Sequence, residues 1–239
     1  MHTPVAKKTR MKSEATDART KKAERHVALD LTEVNAVLFD LDGVLIDSFD
    51  TWFHIFNDTL ERFGFSKISR AEFRKHWGQS TAYHVQKYMP RVSVEDVRKY
   101  LEHIYPAYAQ KHLTVDSSAR PTLLLLAKKG FKTACITNSH KMMTDTIIKK
   151  YSLDICFHTV VTADDTKRPK PSPDMLFLAC KLLGTPPERC IFIGDTETDM
   201  RAGKSAGCIT IGYRKTVGTA GKINALDELI AIIHRQPTS

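Results

Sequence analysis

No apolar run in this 239-residue sequence is long enough to cross a bilayer, which excludes a helical membrane span and leaves a soluble globular chain as the expectation. CxxC spacing and the His pattern of a zinc site are also missing. The five cysteines (Cys135, Cys156, Cys180, Cys190, Cys208) are an odd number, so neither a disulfide framework nor a zinc ribbon is expected. Most of them sit within apolar stretches and read as small core residues, which suits a reducing compartment, the cytoplasm. There is no internal repeat and no low-complexity stretch, which excludes a repeat array.

The first 25 residues hold almost no large apolar group, so the apolar centre of an export signal is lacking, and their acids argue against a transit peptide. Residues 1–30 carry eight Lys/Arg against four acids, and so supply +4 of the formal net charge of +9. Segment 1–32 reads as a solvated, disordered extension, with a basic docking arm as the alternative. A positive chain favours anionic partners, from phosphorylated metabolites to nucleic acid. Because so much of the excess lies in one tail, a nucleic-acid or membrane role would have to be argued mainly from that tail, and neither is expected.

Past the tail, apolar runs recur, each followed by a polar or Gly-containing turn: "AVLFD" from Ala36, "FKTACIT" from Phe131, "CIFIGD" from Cys190 and "CITIGY" from Cys208, with "FHTVVTADD" from Phe157 a fifth candidate. Continuous runs of this kind are what parallel strands buried on both faces require. Helical segments separate them: "RPTLLLLAKKG", which Pro121 can open and Gly130 close; "HKMMTDTIIKKYS"; "SPDMLFLACKLLG"; and "TETDMRAGKSAG". The alternation predicts an α/β fold, a doubly wound, Rossmann-like parallel sheet with ligands at the carboxyl ends of its strands.

Residues 51–118 break the alternation with helical periodicity and no convincing strand. From Ser93, which with Asp96 resembles a capping box, Val97, Leu101, Ile104, Tyr105 and Tyr108 follow the spacing of an amphipathic helix. The expected organisation is a core formed by 33–50 and 119–239 with a helical domain, 51–118, inserted after the first strand. The five histidines of that insertion (His54, His76, His84, His103, His112) form no i, i+4 pair on one helix face and read as satisfied or exposed rather than ligating. Trp52, Phe53 and Phe56 could line a pocket, but at helical spacing they read as core.

The chemistry gathers where runs end. Asp40 and Asp42 follow the first run, so both are placed at the carboxyl edge of a central strand. Clustered carboxylates there repel unless a cation joins them, and Mg²⁺ suits such oxygen-rich groups. Asp195 and Asp199 follow another run through the turn at Gly194. Thr137, in "CITNSH", ends a third and offers a hydroxyl and backbone N–H groups to a phosphate oxygen. Lys170, held between Pro169 and Pro171, supplies a point positive charge. Singly, an Asp-x-Asp reads as a solvated turn and a lysine among prolines as a loop residue; their order directly after strands points to one site.

With those motifs, "DLDGVLIDS", "ITNS", "KPSPD" and "GDTETD", the chain resembles the haloacid dehalogenase superfamily phosphatases that carry a helical cap of the first subclass, over residues 34–234. The resemblance implies that Asp40 is a nucleophile forming an aspartyl-phosphate, ionised at neutral pH, and that Asp42 is the general acid and then the base, which has to carry a proton at the start. It implies Mg²⁺ held by Asp40, Asp195 and the Asp42 carbonyl, with Asp199 a further carboxylate of the metal site. Thr137 and Lys170 would hold phosphoryl oxygens, Lys170 also touching Asp40, and Asn138 would contribute its backbone N–H. In the cap, Gly78 and Gln79 are the candidate substrate contacts.

Within this superfamily Asp42 argues against dehalogenases and phosphonatases, which lack the second motif carboxylate. The β-phosphoglucomutase type is the enzyme rival. Such mutases carry a cap His ten residues after the second Asp, where this chain has Trp52, and an Arg after the cap glycine, where it has Thr81. The start of the cap instead resembles phosphoglycolate phosphatase-like proteins. The expected activity is therefore Mg²⁺-dependent hydrolysis of a small phosphomonoester, phosphoglycolate-like or a sugar phosphate, with the mutase or a non-catalytic binding protein as alternatives. Monomer and homodimer stay open.

Overall fold

The computed structural model describes Leu31 and residues 33–233; apart from Leu31, the basic segment 1–32 lies outside the described residues. The strands are β1 (Ala36–Phe39), β2 (Ile46–Asp47), β3 (Thr114–Val115), β4 (Lys132–Ile136), β5 (Thr159–Val161), β6 (Cys190–Gly194), β7 (Ile209–Tyr213) and β8 (Lys222–Ile223). Between them run the helices α1 (Phe49–Arg62), α2 (Arg70–Lys75), α3 (Thr81–Tyr88), α4 (Val94–His112), α5 (Ala119–Lys128), α6 (Lys141–Lys150), α7 (Asp174–Leu183), α8 (Glu197–Ala206) and α9 (Glu228–Ile233). Six strands form one sheet in the order β5-β4-β1-β6-β7-β8, and every pairing in it is parallel.

Each apolar run expected as a strand is one. Alternate residues of β1 enter two separate cores: Val37 and Phe39 face α5, α6 and α9, while Ala36 and Leu38 face α7 and α8. All four side chains are buried, the pattern of a strand covered on both faces. All five cysteines are buried and free, as expected of core residues. Pro121 lies in the third position of α5 rather than at its start.

The sheet is one strand wider than the apolar runs suggest, because β8 is too short to carry a periodicity. A second addition is the antiparallel pair β2/β3, with Ile46 opposite Val115 and Asp47 opposite Thr114. The chain leaves the sheet through β2, forms α1–α4 without a strand, and returns through β3. Helix α4 starts at Ser93, whose hydroxyl accepts the Asp96 N–H, and buries Val97, Leu101, Tyr105 and Ala109, while Ile104 and Tyr108 are only half-buried. No helix among the described residues is long and apolar enough to cross a membrane.

Candidate active site

Register decides what meets at the sheet's carboxyl edge. Phe39 of β1 pairs with Cys135 of β4 on one side and Ile193 of β6 on the other. Asp40 therefore leaves its strand beside the points where Thr137 and Asp195 leave theirs. Asp40, Thr137, Lys170 and Asp199 are buried, whereas Asp42 and Asp195 are half-buried.

Lys170 reaches in from the loop before α7, and its ammonium donates to Asp40 Oδ1 at 2.7 Å, Asp199 Oδ1 at 2.7 Å and the Ile136 carbonyl at 3.0 Å. An ammonium has three protons, and all three are used. Burial works against its charge, but the Asp199 and Asp40 carboxylates more than offset that and hold its pKa above the ordinary lysine value. Asp40 has no other hydrogen bond to its side chain among the described residues, so its Oδ2 is free, and it lines a cavity of about 80 Å³ with Asp42, Thr137 and Asn138.

Asp42 is held from two sides. Its Oδ1 accepts Ser48 Oγ–H at 2.6 Å and the Trp52 indole N–H at 3.0 Å; its Oδ2 accepts the hydroxyls of Ser139 at 2.9 Å and Thr137 at 3.3 Å. Of these partners only Thr137 was singled out from sequence as part of the site. Ser48 and Ser139 stand inside the quoted motifs, six residues after Asp42 and two after Thr137, and that proximity is the signal that could have found them. Trp52 was read as core; the structure turns its indole N–H onto the site. Sequence reasoning also missed Trp77, whose N–H donates to Asp195 Oδ2 at 3.1 Å.

Asp40, Asp195 and Asp199 each place a carboxylate oxygen within 4.8 Å of the others. Burial, followed by the neighbouring Asp199 carboxylate, pushes the Asp195 pKa up to about 7, and the same two causes lift Asp40 well above the usual carboxylate range despite Lys170. Burial and Asp199 thus work against the ionised Asp40 expected from sequence, while Lys170 works for it. One lysine does not balance four neighbouring carboxylates. Asp195 Oδ1 is buried without a hydrogen-bond partner, a polar atom that a cation would satisfy. The oxygen set and the orphaned atom fit a hard divalent ion. Asp199 is the least available of the three, since its Oδ2 closes a capping box with Thr196 at the start of α8.

The remaining candidates sit at the seam with the helical insertion. Asn138 acts through its side chain as well as its backbone: Nδ2 donates to the carbonyls of Gly78 at 2.9 Å and Lys170 at 3.0 Å, and Oδ1 accepts the Lys170 N–H at 2.9 Å. Gln79 donates to Thr198 Oγ1 at 2.9 Å, so it bridges to the sheet domain while lining the cavity. Gly78 has φ +81°, and a Cβ there would come within 2.9 Å of Thr196 Cγ2. The backbone N–H groups of Leu41, Asp42 and Asn138 find no acceptor among the described residues, three free donors beside the carboxylates where an anion could be bound.

A family profile described as haloacid dehalogenase-like hydrolase matches residues 37–213. Pyrophosphatase PpaX of Halalkalibacterium halodurans is 31% identical over 183 residues, 76% of this chain and 85% of that protein. Phosphoglycolate phosphatase of Pseudomonas savastanoi is 31% identical over 188 residues, 74% of this chain and 69% of that protein. Among solved structures, CbbY from Rhodobacter sphaeroides in complex with phosphate is similar at a TM-score of 0.74 and 20% identity, covering 84% of this chain and 99% of that one; at that identity the likeness is one of fold.

Proposed function

The chain belongs to the haloacid dehalogenase-like hydrolase family, and from that membership we propose that it is a Mg²⁺-dependent phosphatase that hydrolyses a small phosphomonoester through an aspartyl-phosphate on Asp40. The observation that carries this reading is the division of labour between two carboxylates in one cavity. Asp40 has one oxygen held by Lys170 and the other free, while Asp42, two residues on, is fixed by four hydrogen-bonding partners.

In the proposed reaction, Asp40 Oδ2 attacks phosphorus and the ester oxygen leaves with a proton from Asp42. The indole of Trp52 can only donate, so Asp42 Oδ1 stays an acceptor and the transferable proton belongs on Oδ2, where the hydroxyls of Thr137 and Ser139, donors to the ionised carboxylate, can rotate to accept it. Asp42, then ionised, takes a proton from the water that hydrolyses the aspartyl-phosphate. The Thr137 hydroxyl and the free N–H groups of Leu41, Asp42 and Asn138 receive phosphoryl oxygens. Mg²⁺, held by Asp40, Asp195 and the Asp42 carbonyl with Asp199 behind them, would supply the positive charge that lets an anionic nucleophile approach an anionic ester. Residues 51–118 act as the cap, with Gly78 and Gln79 on its closing loop.

Trp52 also weighs against a mutase. It occupies the place where the resemblance puts that enzyme's cap histidine, and an indole moves no proton. Trp52→Phe keeps a ring against Tyr105, 5.3 Å away between centroids, and deletes only the bond to Asp42. We expect kcat to fall about 10-fold with KM little changed, the loss of roughly one hydrogen bond to a carboxyl group that gains charge as it gives up its proton; an unchanged kcat would remove Trp52 from the mechanism.

Gly43 tests the metal site. It has φ +89°, and a Cβ would lie 2.2 Å from Asp195 Oδ2. Gly43→Ala should displace that carboxylate and raise the Mg²⁺ concentration for half-maximal activity at least about 10-fold, as loss of one ligand predicts. Titration of activity against Mg²⁺ reads the effect directly.

The overall test is phosphate release from a panel of esters and pyrophosphate with Mg²⁺, with EDTA and with an Asp40→Asn control. Release that needs both metal and Asp40 is expected. Conversion of glucose 1-phosphate to an isomer without release would establish the mutase instead.

A further inference from the structure

The cap side of the cavity is defined by the charges it lacks. The cap contributes the rings of Trp52, Phe56, Phe73 and Trp77, with Thr81 and His84 beside them, and no Lys, Arg, Asp or Glu of the cap lines the cavity. The rings support one another, with centroids 5.4 Å apart for Phe56 and Phe73, 5.9 Å for Phe73 and Trp77, and 5.1 Å for Phe56 and His84. His84 is no cation at neutral pH, because burial pushes its pKa down to about 4, and its Nε2 is bonded to the His76 carbonyl. Among the described residues the single cationic side chain bordering the cavity is Lys170, whose three protons are already taken. Three basic side chains of the cap, Arg70, Arg74 and Lys75, line a different cleft, which shares Trp77 and Gln79 with this one.

A second anionic group on the substrate would enter this enclosure without a counter-charge, facing aromatic rings and two carboxylates. Burying a charge unpaired is costly, whereas an apolar group entering the same space gains by leaving water. A cavity of about 80 Å³ has room for a phosphoryl group and a few further atoms, so the leaving alcohol is small. We propose that the substrate is the phosphate ester of a small uncharged alcohol with an apolar body, and that the cap wall discriminates against esters bearing a second anion, phosphoglycolate and diphosphates included. The inference rests on the phosphatase reading above.

Isobutyl phosphate and phosphoglycolate make the comparison, because an isopropyl group replaces a carboxylate atom for atom. With saturating Mg²⁺, kcat/KM for isobutyl phosphate should exceed that for phosphoglycolate at least 10-fold. Isobutylphosphonate should likewise bind at least 10-fold tighter than phosphonoacetate by calorimetry, which removes leaving-group reactivity from the comparison. Thr81→Arg, which puts a cation on the wall, should invert both rankings; should that variant not fold, the two wild-type ratios decide alone. Asp40-dependent release that is equal or faster from phosphoglycolate, pyrophosphate or a sugar phosphate overturns the inference and leaves the phosphatase standing. Absence of Asp40-dependent release from every compound overturns the phosphatase reading and the inference with it.

Discussion

Asp40→Asn should stop phosphate release, with a loss in kcat on the order of 10⁴-fold or more, the scale seen when a covalent nucleophile is removed. It should do so without unfolding the chain. The amide oxygen can still accept the Lys170 proton that Asp40 Oδ1 accepts at 2.7 Å, and the shape is unchanged. Electrostatically the substitution relieves the site, because Asp40 is a buried carboxylate whose pKa is raised by burial and then by Asp199. Metal-free Asp40→Asn should therefore melt at or above the temperature of the metal-free parent, while gaining less than the parent from added Mg²⁺. Phosphate release above about one hundredth of the parental rate would show that another group attacks phosphorus, and Asp40 would become a metal ligand only.

That Asp40 could be picked out beforehand has a physical reason. A strand buried on both faces must be apolar throughout, so the first acid after "AVLF" marks where the sheet stops shielding the chain. The same logic placed Thr137 after β4 and Asp195 after β6, and the register of β1 with both strands then brings the three together. What stayed illegible is contact across long separations. Helical spacing says that Trp52 and Phe56 share a face of α1, but not that one indole N–H of that face ends 3.0 Å from Asp42. Nothing local links Trp77 to Asp195, 118 positions away. Asn138 was read for its backbone, yet its amide joins the cap loop at Gly78 to the loop of Lys170. The β2/β3 pair through which the chain enters and leaves the cap is two residues per strand, below the length at which alternation can be counted.

The charge-free cap wall gives the two halves of the active site different tasks. In the proposed reaction the hydrogen-bond donors for the phosphoryl group come from the sheet edge, as Thr137 and backbone N–H groups, Lys170 holds Asp40, and the cap would supply surface for the alcohol. Trp52 and Trp77 belong to both halves, because each lines the cavity with its ring and donates its N–H to a carboxylate of the sheet domain. On the proposed reading, a substrate that moved either indole would also move a hydrogen bond on Asp42 or Asp195, coupling fit at the alcohol to order at the phosphate.

Lys170→Met should be the most destabilising single change at the site. Lys170 is 3% exposed, and its ammonium joins two carboxylates and a carbonyl. Removing one partner of a buried ion pair leaves uncompensated charge and costs about 3–5 kcal/mol, roughly 6–20 °C in Tm at 2–4 °C per kcal/mol for a chain of this size. The pH dependence gives the sign. Lys170 has its folded pKa raised, so its contribution is complete at neutral pH and is lost only far above it. Asp40 and Asp195 also have raised pKa values, but as acids they bind more protons folded than unfolded as pH falls toward the Asp195 value of about 7 and below. Stability of the Met variant should therefore rise as pH is lowered from 8 toward 5, opposite to the usual effect of salt-bridged carboxylates. Mg²⁺ at neutral pH should restore part of the loss by supplying the missing cation, whereas activity stays low because the lysine that positions Asp40 is gone. A Tm that neither drops with the substitution nor responds to pH or Mg²⁺ would mean that the four carboxylates are not held together by charge, and the metal assignment would fall with that result.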